Sequence, residues 1–510
     1  MERKKAFFFI TLFSLVLSRE VFAEKEKSHS NKVVTSASKD EKILLEKAPF
    51  VAENLETPAI DEETLNATLI EADKKRKPAN NNESYAELLS PTLSALITEY
   101  HNIKTSDELA DFIKKLDTNY DSYTATDVKY FAATIIPALS TRGLLYRLRN
   151  LFSIESKFVH SQMITYAKAL ALQADIFFPY QNSKAFVDFV AAPYYNNGVK
   201  VAEFNKEYDV QVWLVNEVVP QLIKQINRLT KLNLKTAVAW DQRAVFGPNS
   251  FADGIRRFTL VGEFEKTLQL ASIHGALASI YASRAYGVNG SIRLSKEIGM
   301  VFGVDTLKFV TGSDGVSVKN IVDVLKKSDF INVGKLYTDG GPWMAKALEA
   351  SRSSITYVKS AWNQSKNSRE NNEDFLINTG LFNVNRETVR KNIDIVSRVI
   401  LSSGTESLRS SVSGEVASIN YSAFFTNPPA DLKSFLPIDF DKSETVTKPM
   451  RTIAGQTSNE TYRNYLFGAP TKWNTGFLAT YYPGIQKDTD INKYLRVFGQ
   501  MAGTWVAFTN

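Results

Sequence analysis

The chain contains no cysteine in 510 residues. That one absence excludes disulfides, zinc–thiolate sites, iron–sulfur clusters and cysteine nucleophiles. Histidine is scarce: His29, His101, His160 and His274 are the whole set, and no two have the i, i+4 spacing that places two metal ligands on one helix face. The chain also lacks a Gly-x-Ser-x-Gly elbow, a Walker phosphate loop and a Gly-x-Gly-x-x-Gly turn, so no familiar motif announces a hydrolase, an NTPase or a dinucleotide enzyme. Long apolar runs are missing too. The run at residues 6–18 falls short of the roughly 20 residues a helix needs to cross a bilayer. Neither sign of charge dominates: the net charge is +6, spread along the chain without a nucleic-acid-binding signature, so nucleic acid is not an expected partner.

What is present begins with an export signal. Met1-Glu2-Arg3-Lys4-Lys5 is a basic start, residues 6–18 are rich in Phe and Leu, and Val21-Phe22-Ala23 offers a signal-peptidase site, so residues 1–23 read as a secretory signal peptide. An exported eukaryotic chain of this size would ordinarily carry disulfides. A bacterial periplasm is therefore expected, with release outside the cell as the second placement. No integral membrane span is expected once the signal is removed.

Residues 24–83 read as a disordered polar tether, closed by Pro78-Ala79-Asn80-Asn81-Asn82 and interrupted by two apolar islands, the second at Leu65 and Leu69-Ile70, suited to docking on the body or on a partner. With 44% hydrophobic and 23% charged residues the rest is ordinary globular sequence. It divides into a helical domain over 84–303, a second helical region over 304–430 packed on the first, and an irregular, aromatic-rich segment over 431–510. The fold class expected is mainly α: a multi-helix bundle or layered helical array with few or no strands.

The helix signals are local. Ser90-Pro91 places an N-cap before a proline at the first helical position, and Thr105-Ser106-Asp107-Glu108 forms a capping box ahead of Leu109, Phe112, Ile113 and Leu116. Pro137 is expected to end or kink a helix that starts near Thr126. Further helices are expected at 144–152, 158–178, 208–232, 264–286, 318–327, 342–366 and 386–401. In the 264–286 helix, Ala271, Gly275, Ala278, Ser279 and Ala282 recur one turn apart and should let a second helix approach closely.

Three constellations carry the chemistry that can be proposed. Asp117, Asn119 and Asp121 sit between two helices like the first three oxygen ligands of a calcium loop, but Ser122 stands where glycine is wanted and Val128 where the bidentate glutamate belongs. No cofactor other than this weak calcium site is expected; a polar interhelix turn is the simpler reading, and Asp488, Asp490 and Asn492 form a still weaker run. Trp343, Trp473, Tyr481, Tyr482 and Trp505 are the aromatic candidates for gripping a glycan or a peptide, set against a plain packing role. His274, and carboxylates such as Glu263 and Asp339, are the groups from which a catalytic centre would have to be built.

These features lead to an exported cell-envelope binding or scaffold protein without catalytic activity, with an envelope protein or cell-wall polymer as partner. A hydrolase of cell-wall glycan or peptide is the alternative, and a small-ligand carrier a further one.

Overall fold

The computed structural model describes residues 55–75, 89–153, 183–196, 198–241, 258–294, 327–364, 386–410, 414–440, 450–451, 457–458, 470–494 and 497. Within them the chain is mainly α-helical, as expected, and strands occur only as short antiparallel pairs.

Helix α1 (Glu62–Lys75) lies inside the stretch expected to be a disordered tether. Asp61 caps it, accepting from Thr64 N at 3.1 Å, and Leu69 is buried. Residues 62–75 are thus part of the body, because the second apolar island has a surface to dock on. Helix α2 (Pro91–Asn102) starts where Ser90 Oγ accepts from Leu93 N at 3.1 Å. Helix α3 (Ser106–Thr118) carries the expected capping box between Thr105 and Glu108 and buries Leu109, Phe112, Ile113 and Leu116. Helix α4 (Thr126–Ile135) gives way to a 3-10 turn at Ile136–Thr141, the place where Pro137 removes a donor. Gly143, at φ +65°, turns the chain into α5 (Leu144–Ser153).

Helix α6 (Ser183–Ala191) leads into the hairpin β1 (Tyr195–Asn196) and β2 (Val199–Lys200). The helix expected at 158–178 lies outside the described residues. Helix α7 (Glu207–Trp213) passes through a π turn (Leu214–Val218) into α8 (Val219–Lys231). Pro220 explains the π turn: its ring would strike the carbonyl four residues back, and the wider turn, in which Val219 N–H reaches Leu214 O, relieves the clash.

Strands β3 (Val238–Asp241) and β4 (Phe258–Val261) pair with Trp240 opposite Thr259. They precede α9 (Glu263–Arg284), which with α10 (Gly340–Gln364) makes the broadest helix–helix contact among the described residues. Small residues do line that contact: Ser354 Oγ donates to Ala271 O at 2.7 Å, and Ala347 and Ala350 are buried. Ser279, however, is exposed, so the small-residue stripe faces α10 only in part. The remainder comprises α11 (Arg386–Leu401), β5 (Glu406–Arg409) paired with β6 (Val416–Ile419), α12 (Ala423–Thr426), β7 (Asp439–Phe440), β8 (Met450–Arg451) paired with β9 (Thr457–Ser458), β10 (Pro470–Lys472) paired with β7, and α13 (Thr475–Tyr481).

Two hydrophobic cores result. The larger is built from Leu93 to Tyr357 around α9, and the smaller gathers Val399, Leu408, Ala417, Leu478, Ile485, Ile491, Tyr494 and Val497. The boundaries expected near residues 83 and 303 fall outside the described residues. Among those described, no helix is long and apolar enough to cross a membrane.

Candidate functional site

Helix α9 carries buried ionisable side chains in three separate places. At its start, Glu263 and Lys266 face each other at 2.7 Å with side chains 1% and 7% exposed. Glu263 also accepts from Leu234 N at 2.6 Å, and Lys266 donates to Leu232 O at 2.7 Å. The pair satisfies buried backbone groups of the segment that leaves α8, a structural role. In the middle, His274 is fully buried against Tyr357, ring centroids 5.5 Å apart, and neither ring nitrogen has a hydrogen-bond partner among the described residues. Burial lowers its pKa to about 4, which keeps the imidazole neutral, and among the described residues no serine or carboxylate hydrogen-bonds to it.

The third place is the C-terminal end of α9. Arg284 is 1% exposed and pairs with Asp339 at 2.9 Å, the carboxylate being the partly exposed member. The guanidinium lies 5.2 Å from the Tyr337 ring centre and 5.5 Å from that of Trp343. Gln211 of α7 closes the junction, donating to Ser283 O at 2.6 Å and Tyr286 O at 2.8 Å and facing Tyr337 Oη at 3.4 Å. Burial pushes the Tyr337 hydroxyl up to about 12 and raises those of Tyr208, Tyr281 and Tyr286, so every phenol here is neutral.

The same junction knits distant parts of the chain together. Tyr337 N donates to Ala285 O, Gly287 N to Lys335 O, Leu336 N to Ala430 O and Leu432 N to Gly334 O. Gly340 is required for the approach, since a Cβ there would stand 2.7 Å from Ala285 O. Glu263 and Asp339 are accordingly at opposite ends of a 22-residue helix. Even allowing for side-chain reach they are at least about 20 Å apart, beyond the roughly 10 Å within which two carboxylates share a glycosidic bond. The fold does not bring them together as an acid–base pair.

At the calcium-like sequence, Tyr120–Ser122 form a 3-10 turn, with Ser122 Oγ donating to Asn119 O at 2.7 Å. Asp117 Oδ1 stands 2.8 Å from both Lys224 and Arg228 of α8. Burial alone would raise the Asp117 pKa, but hydrogen bonds and charge from those two cations outweigh it and hold the carboxyl below its ordinary value. Asn119 ends α3, and Asp121 is exposed. Asp127 accepts from Ser90 N and Val128 N, both at 2.8 Å. Asp488 likewise accepts from Trp473 N, and Asp490 from Gln486 N and Lys487 N. Among the described residues no three His, Asp or Glu side chains gather as metal ligands.

Of the aromatic candidates, Trp343 is 1% exposed in the core and Tyr481 is buried, while Trp473 and Tyr482 are half-buried. The Tyr481 ring lies tilted 4.6 Å from Phe424 and 5.3 Å from Phe435, and its hydroxyl donates to Asn427 O at 2.9 Å; Tyr482 meets Tyr494 at 5.9 Å. These rings clamp the C-terminal segment together. Trp505 lies outside the described residues.

Exposed apolar side chains collect instead at two places that the sequence reading missed. One comprises Ile331 and, on the segment that Lys433 ties to it, Leu432, Leu436 and Ile438, each 38–49% exposed. The other is the tip of the β1–β2 hairpin. The first has no sequence signal, because it joins segments a hundred residues apart; the second was legible in Asn197-Gly198, a hairpin-turn pair. Comparison of the chain with protein families, with curated proteins and with solved structures finds no match.

Proposed function

We propose that the protein is an exported, periplasmic helical scaffold without catalytic activity, which binds an envelope protein through the apolar platform of Ile331, Leu432, Leu436 and Ile438. The observation that carries this reading is the lysine tie beneath those side chains. Lys433 Nζ donates to the carbonyls of Phe330, Ile331 and Val333 at 3.1, 3.1 and 2.6 Å, which locks the 3-10 turn Leu432–Phe435 onto the turn at Ser328–Phe330. Apolar side chains held out to solvent on such a base lose little entropy on binding, and preorganisation of this kind is what favours association. Charge pairs at the edge, Arg293–Asp329 at 2.8 Å and Lys433–Asp431 at 3.3 Å, give the apolar centre and mixed polar rim of a protein interface. The signal-like residues 1–23 and the lack of cysteine support export.

Photo-crosslinking from positions 432 and 438 in cells, after osmotic-shock fractionation, tests both halves of the reading. Retention in the cytoplasmic fraction would sink the export half. The binding half requires one discrete adduct at these positions, absent from an exposed control at Asp111 and lost in a folded Leu436→Asp variant. Equal labelling at all positions would overturn it, as would turnover of cell-wall fragments by the purified protein.

A further inference from the structure

The β1–β2 hairpin offers a different chemistry. Tyr195 is 64% and Val199 70% exposed, and Asn196, Gly198 and Lys200 are exposed as well. The register sets Tyr195 opposite Lys200 and Asn196 opposite Val199. Residues directly across an antiparallel pair share a face, so the tyrosine and the valine project from opposite faces, and Lys200, exposed on the tyrosine's face, holds its ammonium 5.0 Å from the Tyr146 ring centre. At the turn Gly198 has φ +78°, and a Cβ built there meets nothing within 4 Å.

The base, by contrast, is fixed. Val201 N donates to Tyr194 O at 3.0 Å and Phe204 N to Arg147 O at 2.7 Å. Three arginines grip the rings around it: Arg142 lies 4.6 Å from the Tyr194 ring centre, Arg147 4.2 Å from Phe204 and Arg149 4.1 Å from Tyr146. Each guanidinium is also paired with a carboxylate, Arg142 with Asp107, Arg147 with Glu217 and Arg149 with Glu203. A clamped base and a free tip make this a projecting finger.

Its composition separates it from the Ile331 platform. From Phe189 to Ala202 there is no Asp or Glu, whereas the platform has Asp329 and Asp431 on its rim. A tyrosine, an aliphatic side chain and a lysine are the residues that settle at the headgroup level of a bilayer. An apolar residue on each face suits immersion of the whole tip; a protein groove would need only one. Residues 1–23 carry four basic and two acidic side chains of the chain's net +6, so the exported chain keeps a net positive charge, which favours an anionic surface. We infer that the β1–β2 finger docks the protein reversibly on an anionic lipid surface, with Tyr195 and Val199 entering the headgroup layer and Lys200 meeting lipid phosphate.

The absence of cysteine allows a clean test in the full chain, independent of the N-terminal apolar run. A Val199→Cys variant labelled with an environment-sensitive fluorophore is mixed with vesicles of phosphatidylcholine alone or of phosphatidylcholine with phosphatidylglycerol, and an Ile331→Cys variant serves as the control. The label at position 199 should brighten and shift to the blue with the anionic vesicles only, while the control stays unchanged. Replacing Tyr195 by Ser in the labelled variant should lower the vesicle partition coefficient roughly tenfold, the scale of withdrawing one large side chain from an apolar phase, and Lys200→Gln should reduce the preference for phosphatidylglycerol. No change at position 199 with either vesicle overturns the inference. So does a change that tracks protein concentration without lipid, which would assign the finger to contacts between copies of the chain.

Discussion

Replacing His274 tests the electrostatics of the central helix most directly. Its pKa in the folded chain is about 4 against an ordinary 6.5, and burial is the cause. Tyr357 of α10, the titratable ring that faces it among the described residues, is pushed above its ordinary value by burial and stays neutral throughout the acid range. Because the folded pKa is depressed, the unfolded chain binds a proton at this site before the folded chain does. Stability is therefore at its full level above pH 6.5 and falls as the pH drops through 4, below which the loss is complete. A gap of 6.5 to about 4, at about 1.4 kcal/mol per unit, gives a total loss of about 3 kcal/mol, of which about 2 falls between about pH 7 and about pH 4.5. A His274→Leu variant removes the proton site and two unpartnered nitrogens. At neutral pH it should be as stable as the parent or more so, since no hydrogen bond is lost. Urea unfolding at several pH values measures the difference between the two proteins, and carboxylates with depressed pKa values, such as Asp117 and Glu203, cancel in that difference. The stability difference should widen by about 2 kcal/mol over that interval. Parallel curves would refute the reasoning, as would an NMR titration in which His274 protonates near 6.5.

Other expected outcomes follow from the same packing. Glu263→Gln leaves Lys266 buried beside a neutral amide and should cost about 3–5 kcal/mol, whereas Glu263→Gln with Lys266→Met should cost less than the sum of the single changes, as a double-mutant cycle in urea would show. Gly287→Ala should destabilise by about 2 kcal/mol or more, because its Cβ would collide with the Asn332 carbonyl. Gly275→Ala should be neutral or stabilising by up to about 1 kcal/mol, its Cβ resting 3.4 Å from Ser354 Oγ; thermal melts of the two variants distinguish them. Leu69→Ala should cost about 2–4 kcal/mol of local stability and free α1, seen as faster proteolytic cleavage within residues 62–75 while the core persists. Titration calorimetry with calcium should give no saturable heat, since Asp117 is already held by Lys224 and Arg228.

The sequence by itself determined the helical class and many helix boundaries, because caps, prolines and apolar periodicity act within a few residues. Ser90, the Thr105–Glu108 box and Pro137 act where the local rules place them. It also carries the hairpin-turn pair Asn197-Gly198 between the residues that form β1 and β2. Tertiary structure decided what depends on partners far along the chain. Lys224 and Arg228 claim Asp117 across a hundred residues, Leu69 finds a surface that turns part of a polar arm into a docked helix, and the length of α9 parts Glu263 from Asp339. The Ile331–Leu432 platform belongs to the same class, since its tie is one lysine reaching three carbonyls a hundred residues away. A side chain's type fixes what it can bond to; its neighbours in space fix whether that capacity is already used, and only the second separates a structural charge from a functional one.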